Sequence, residues 1–295
     1  MVRVKKGILK IFSDPASISR YVREQKAVGK TVGFVPTMGS LHEGHASLFR
    51  KAVETSDCVI ASIFVNPAQF GDREDFEHYP HHLDQDFMIA EKAGVHALFT
   101  PDEQSIYPSG MDFTVRVHTK TDVLCGVSRP GHFEGVATVL TKLFNIIQPD
   151  HVYFGMKDAQ QAAIISSLIH SFHYSIQMHL CPINRESDGL ARSSRNLRLT
   201  PDERQEAPEV YRGLQAGLLS MKNGERRRDQ IIDAVMSYYS SHLVLGTVDY
   251  VDLLSYPELT RRKDPISGPF ILACAINYRQ ARLIDNITAN TADLS

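Results

Sequence analysis

Between Pro36 and Phe49 the chain reads PTMGSLHEGHASLF, with two histidines, His42 and His45, three residues apart around Gly44. TVGFV before them (31–35) is β-branched and apolar, and Leu48, Phe49 and Ala52 after them share one helical face. The pair therefore falls where a strand gives way to a helix. Side chains at i and i+3 of a helix start can face one point, and the helix N-terminus adds unsatisfied amides and positive dipole potential. Together these suit the phosphates of a nucleotide as charge rearranges at the α-phosphorus. Gly39 and Gly44 let backbone approach a ligand with no Cβ in the way. A zinc reading of HxxH lacks a third ligand nearby. A Walker loop is excluded because no GK[ST] follows. Plain helix capping by surface histidines stays open.

Four more stretches carry groups of similar kind. In FVNPAQFGDREDFEHYP, Asn66, Pro67 and Gln69 lie just past the strand-like CVIASIFV. The amide side chains of Asn66 and Gln69 both donate and accept, as a hydroxy-acid ligand requires; an ordinary polar loop, with the charges of 72–77 solvated, is the alternative. SRPGHFEGV frames a Pro-Gly turn with Arg129 and His132, for an anion contact or for structure alone. FGMKDAQQ places Lys157 and Asp158 directly after the strand HVYFG, with Gln161 a turn further on. A lysine there can hold a polyphosphate, and an aspartate can contact ribose hydroxyls or cap the helix. DGLARSSRN puts two serines and two arginines on a Gly-containing loop, the makings of an anion clamp.

These groups need elements to hold them. Strand-like runs at 31–35, 58–65, 95–101, 112–118, 151–155 and 175–183 alternate with helical patterns at 83–94, 135–148 and 159–172. Alternation on this scale predicts βαβ units and an α/β, doubly wound, mainly parallel sheet. After Ile183 the texture turns polar. Helices follow near 200–222, with Pro208 as a breaker, and at 228–243, then strands at 247–256, 269–277 and 281–287. A domain boundary near 183 is expected, dividing the chain into 1–183 and a smaller 184–295.

The bulk numbers narrow the class. With 295 residues, 43% hydrophobic, 22% charged and a net charge of -2, the chain has an ordinary globular composition. It offers no electrostatic reason for nonspecific nucleic-acid binding. The basic run Arg226–Arg228 reads as a solvated helix end. The four cysteines show no CxxC spacing, which predicts reduced thiols and no disulfide framework. MVRVKKGILKIF has neither a long apolar core nor a small-residue cleavage site, and no run approaches 18 apolar residues. A cytoplasmic protein with no membrane span is expected.

In combination, PTMGxLHxGH, FVNPxQF, RPGHFxGV, GxKDxQQ and REx-DGLAxSSRN, in this order from about Thr31 to Asn196, resemble the pantoate–β-alanine ligase (pantothenate synthetase) family. That family belongs to the nucleotidylyltransferase superfamily, related to class I aminoacyl-tRNA synthetases. The resemblance implies a Rossmann-like N-terminal catalytic domain, a smaller C-terminal α/β lid domain and a homodimer. It implies a reaction in which ATP with Mg²⁺ activates (R)-pantoate as a pantoyl-adenylate, which β-alanine then attacks, releasing AMP and pyrophosphate.

Carried over by position, Met38, Gly39, Ser40, Leu41, His42, Glu43, Gly44 and His45 would line the ATP site, with His42 and His45 catalytic and His45 the proton donor. Gln69 and Gln161 match the pantoate-holding residues, and Gln69 borders the β-alanine path. Gly155, Met156, Lys157 and Asp158 match a second ATP segment, with Lys157 on phosphate and Asp158 on ribose. Asn184 matches a further ATP contact through its backbone. Arg192, Ser193, Ser194 and Arg195 match the mobile phosphate loop, and Lys157 and Arg195 count among the catalytic groups. Asp86 falls where an acidic residue lies near the metal.

The chain departs from the family pattern at Met156, where Glu is common, and at Ala159, where an aromatic is. Ala68 replaces Met, Arg192 replaces an apolar residue or Lys, and His81 replaces Arg. His81 bears on the geometry of its loop, and Arg192 could add a phosphate contact. Another HxGH-type nucleotidyltransferase is the main rival, but it has no need of FVNPxQF plus GxKDxQQ. A non-catalytic nucleotide sensor would not need His42, His45, Lys157 and Arg195 together. A tRNA synthetase would need a basic anticodon-binding region, which is not seen after 196.

Overall fold

The computed structural model describes residues 9–71, 76 and 79–294. Six strands form one parallel sheet: β1 (Lys10–Phe12), β2 (Val32–Thr37), β3 (Cys58–Ile63), β4 (Ala97–Phe99), β5 (His151–Gly155) and β6 (Gln177–Cys181). Their spatial order is β1-β4-β3-β2-β5-β6. Helices α1 (Pro15–Ala27), α2 (Glu43–Thr55), α3 (Leu83–Lys92), α4 (Glu103–Ile106), α5 (Cys125–Ser128), α6 (His132–Ile147) and α7 (Ala159–Ser171) lie between them in the chain. The α/β, doubly wound reading of the sequence is what the structure shows.

Burial explains the pattern. Every residue of CVIASI in β3 is buried, as befits a central strand covered on both faces. Helix α2 buries only Ala46, Phe49 and Ala52, one stripe against the sheet. Two apolar clusters lie in the sheet region: one holds Phe34, Ile60, Phe99 and Phe144, the other Val35, Phe49, Val59 and Leu98. Alternate residues of one strand thus feed opposite layers.

A second sheet is antiparallel, β7 (Thr247–Ser255), β8 (Pro269–Asn277) and β9 (Arg282–Asn290), with β8 central. Helices α9 (Glu209–Lys222) and α10 (Arg228–His242) share a core with it, built on Leu214, Val235, Tyr239, Leu253, Phe270 and Leu272. Pro208 does interrupt the preceding helix: α8 (Pro201–Glu206) stops before it and α9 starts after it. The chain divides into two compact units. One comprises 1–118, 129–156 and 164–182; the other comprises 119–128, 157–163 and 183–295.

One local expectation fails. Asp112–His118 forms no strand; its Val115 N–H donates instead to Thr138 Oγ1 on α6 at 2.8 Å. Alternation reports a half-buried face, and a helix can bury that face as well as a sheet can. Conversely, Lys10–Phe12, read only for the absence of a leader, is an edge strand registered on Ala97–Phe99. The charged residues 72–75 and 77 lie outside the described residues.

Candidate functional site

The parallel sheet reverses its winding at β2, with β3 and β4 laid down on one side and β5 and β6 on the other. Strand β2 pairs with β3 along its whole length, Val32 to Thr37, but with β5 only at Gly33–His151 and Phe34–Val152. Beyond those pairs the carboxyl ends of β2 and β5 part. That is the switch-point crevice in which open α/β sheets place their ligands. The segment Met38–His45 leaves β2 there, and Met156–Asp158 leaves β5 as a 3₁₀ turn.

His42 is the N-cap of α2. Its Nδ1 accepts the Gly44 N–H at 3.1 Å, and His45 Nδ1 accepts the His42 N–H at 3.3 Å. The rings stand 4.2 Å apart. An Nδ1 that accepts carries no proton, so each neutral ring holds its hydrogen on Nε2. The capping alternative is therefore true, and it presets the chemistry: two N–H donors beside the amides of a helix start.

The turn ahead of the pair is held from beneath. Asp86, only 1% exposed, accepts Ser40 N–H at 3.0 Å and Leu41 N–H at 2.6 Å, one on each oxygen. Burial pushes its pKa up against the pull of those amides. Gly39 has φ +83°, and a Cβ there would lie 3.0 Å from the Asp86 carboxylate, so glycine lets the turn close onto the acid. Glu43 points outward and pairs with Arg50.

Gln69 is buried on the 3₁₀ turn Pro67–Gln69, its amide against the Met38 sulfur. Three groups fix it. Asn66 Nδ2 donates to Gln69 Oε1 at 3.3 Å and to Gly135 O at 3.1 Å, while Asn66 Oδ1 accepts from Tyr107 at 2.8 Å. The His132 ring donates Nδ1–H to the Gln69 carbonyl at 2.8 Å and takes an Arg129 N–H on Nε2 at 3.0 Å. Gly135 admits the turn to α6: a Cβ there would sit 2.2 Å from the Ala68 carbonyl. These bonds give Arg129 and His132 the structural role that was one of their two sequence options. Asn66, His132 and Gly135 are the supports that sequence reasoning left out of its list of site residues; FVNPAQF had drawn attention to Asn66 and RPGHFEGV to His132, while Gly135 was not singled out.

In the other unit, Lys157 is mostly buried and lies 3.9 Å from exposed Asp158. The neighbouring glutamines divide labour. Gln160 is buried and bonds Lys120 O, Val123 O and Cys125 N, whereas Gln161 is half-buried. Asn184 accepts the Arg192 N–H through its backbone carbonyl at 2.9 Å, within a hairpin whose Arg185 and Ala191 form a bridge. Arg192 pairs with Glu186 at 3.0 Å, and Ser193 caps the turn Ser194–Arg198 by accepting the Arg195 N–H at 3.2 Å.

A parallel sheet with its polar loops at the switch point and two ring N–H donors on a helix start defines an α/β protein of the nucleotide-handling kind. The chain belongs to the pantoate-beta-alanine ligase family, whose model matches residues 10–288. It is 49% identical over 282 residues to the pantothenate synthetase of Bacillus subtilis (strain 168), covering 96% of this chain and 98% of that one. Among solved structures, the pantothenate synthetase of Thermus thermophilus matches with a TM-score of 0.88 at 36% identity, over 94% of this chain and 98% of that one. The pantoate-beta-alanine ligase of Francisella tularensis, complexed with beta-gamma ATP and beta-alanine, matches with a TM-score of 0.77 at 32% identity, over 96% and 98%.

Proposed function

We propose that this protein condenses (R)-pantoate with β-alanine at the expense of ATP, through a pantoyl-adenylate. The observation that carries the reading is the reciprocal His42–His45 cap, which turns two imidazole N–H groups into preset donors at a helix N-terminus. In the first step the pantoate carboxylate attacks the α-phosphorus and pyrophosphate departs. Two anions must meet, so donors whose rings are already held by the cap lower the barrier without reorganising. In the second step the β-alanine amine attacks the acyl carbon and AMP leaves.

On this reading Met38–His45, Gly155–Asp158, Asn184 and Arg192–Arg195 bind ATP. His45 is the proton donor, Lys157 and Arg195 take phosphate charge, and Asp158 takes the ribose. Gln69 and Gln161 hold pantoate, and Gln69 also borders β-alanine. Residues 1–183 act as the catalytic domain and 184–295 as the lid. Mg²⁺ enters with ATP. Each Asp86 oxygen already accepts one amide in a buried site, and from there Asp86 would act on the ion through its charge. When bound, the ion offsets phosphate charge. A homodimer in the cytoplasm is part of the same proposal. Among the described residues no helix is long and apolar enough to cross a membrane.

The test is pyrophosphate release in a single turnover with ATP, Mg²⁺ and pantoate but no β-alanine. A pantoate-dependent burst near one per active site, converted to pantothenate and AMP on adding β-alanine, is expected. Release that needs β-alanine would mean an ordered or concerted scheme. No amide product under any condition would favour the rival nucleotidyltransferase.

A further inference from the structure

Asp285 and Asn286 lie side by side on β9, the edge strand of the antiparallel sheet, and are 3% and 5% exposed. Buried acids and amides at such positions need partners, and each has found one in a different segment. Asp285 receives Arg185 in a two-pronged pair, Nη1 to Oδ2 at 2.6 Å and Nη2 to Oδ1 at 2.9 Å. The same guanidinium lies 3.5 Å from the Tyr211 ring centre and donates to the Gly189 carbonyl at 3.1 Å, so it clamps the hairpin that leads to Arg192 and Arg195. Asn286 Nδ2 donates to the Lys157 carbonyl at 3.0 Å, across 129 residues of chain. The two partners of this dipeptide are thus joined: the Asn286 N–H bonds Asp285 Oδ1 at 2.7 Å, which Arg185 also holds. Successive strand residues project to opposite faces, which is how one dipeptide reaches two segments.

We propose that Asp285 and Asn286 are positioning residues that set Lys157 and the Asn184–Arg195 loop in register with one another. The proposal rests on the reading of both segments as phosphate-handling groups. Lysine and arginine donors from distant parts of the chain stabilise one polyphosphate only if their spacing is held closely. An error of about 1 Å costs on the order of 10²-fold in rate. Backbone bonding at Lys157 and a bidentate, ring-stacked arginine at the loop root are rigid devices of the required kind.

The experiment compares N286A, N286D and D285N with wild type, with K157A alongside. It reads single-turnover pyrophosphate release against ATP and against pantoate, together with thermal midpoints. Ala at 286 cannot donate to the Lys157 carbonyl, and an ionised Asp there cannot either while it preserves the shape. Both are expected to stay folded, to lose about tenfold or more in adenylation or ATP KM, and to keep pantoate KM within about twofold. D285N keeps the outline but not the charge; its loss should also be ATP-selective, with faster tryptic cleavage at Arg192 and Arg195. Folded N286A and N286D with wild-type ATP kinetics overturn the proposal. So does a loss shared equally by ATP and pantoate that simply follows a lowered midpoint. A crippled K157A beside unaffected N286A and N286D removes only the positioning role. A K157A enzyme with normal adenylation removes the phosphate role of Lys157, and the positioning proposal with it.

Discussion

His42 and His45 each use Nδ1 to accept a backbone amide at the start of α2, with their rings 4.2 Å apart. Two jobs are thereby tied to one pair: closing the helix and, on the proposed reading, donating from Nε2–H to phosphate. Substitution should separate them. His42→Ala and His45→Ala should each lower adenylation on the order of 10²–10³-fold, and losing the cap should cost about 1 kcal/mol. His42→Asn keeps a good N-cap but offers no imidazole N–H at that reach. Its thermal midpoint should match wild type while its adenylation stays as slow as that of His42→Ala. Full activity in His42→Asn would reduce the pair to a capping device.

Gly135→Ala probes the support of Gln69. The added methyl would meet the Ala68 carbonyl at 2.2 Å and the Gln69 Cα at 2.7 Å, both backbone. The turn must shift, at a cost of about 1–3 kcal/mol. Pantoate KM should rise at least about tenfold by misplacement of Gln69, with ATP KM nearly unchanged. Equal effects on both substrates would contradict the assignment of Gln69 to pantoate.

Asp86→Ala removes a buried acceptor and leaves the Ser40 and Leu41 amides without one. A loss on the order of 3 kcal/mol is expected from charge-assisted bonds of this sort, measured by urea unfolding. ATP KM should rise as the turn loosens. Raising Mg²⁺ should not restore it, whereas recovery by Mg²⁺ alone would place Asp86 on the metal.

Acid should expose Glu225. It accepts the Arg227 side chain at 2.7 and 3.0 Å and the Arg226 and Arg227 amides at 2.9 and 2.8 Å. The Arg227 bonds lead in pulling its pKa from 4.5 to about 2. The folded value lies below the unfolded one, so its contribution is present above about 4.5 and is lost as pH falls toward about 2. Glu225→Gln should flatten the urea midpoint across that window, and added salt should shrink the wild-type difference because its Arg227 partner is exposed.

The four cysteines are free thiols and buried. Burial raises the pKa of Cys58 and Cys181, and pushes that of Cys274 up to about 12. A thiol reagent near neutral pH should label the native protein only slowly and find all four after unfolding. A fast one-thiol phase would show that one site opens.

What could be read from the sequence alone was whatever is local or periodic. CVIASI is apolar throughout because a central parallel strand has no wet face. Pro208 stops a helix wherever it stands. Glycines and histidines between TVGFV and ASLF mark the strand-to-helix turn through their own backbone and side-chain chemistry, and the ordered set of five motifs points to the family that the whole-chain comparisons show. Partnership across the chain was not legible. Nothing in Asp112–His118 says that α6, and not a strand, receives Val115. Nothing near Asp86 says that its oxygens reach back 45 and 46 residues to a turn. Nor does DGLARSSRN reveal that Arg185 just ahead of it is clamped by Asp285. Amphipathic pattern states that a side chain is buried but not against what. Only tertiary packing chooses the partner, because burial makes each polar group find one wherever the fold brings it.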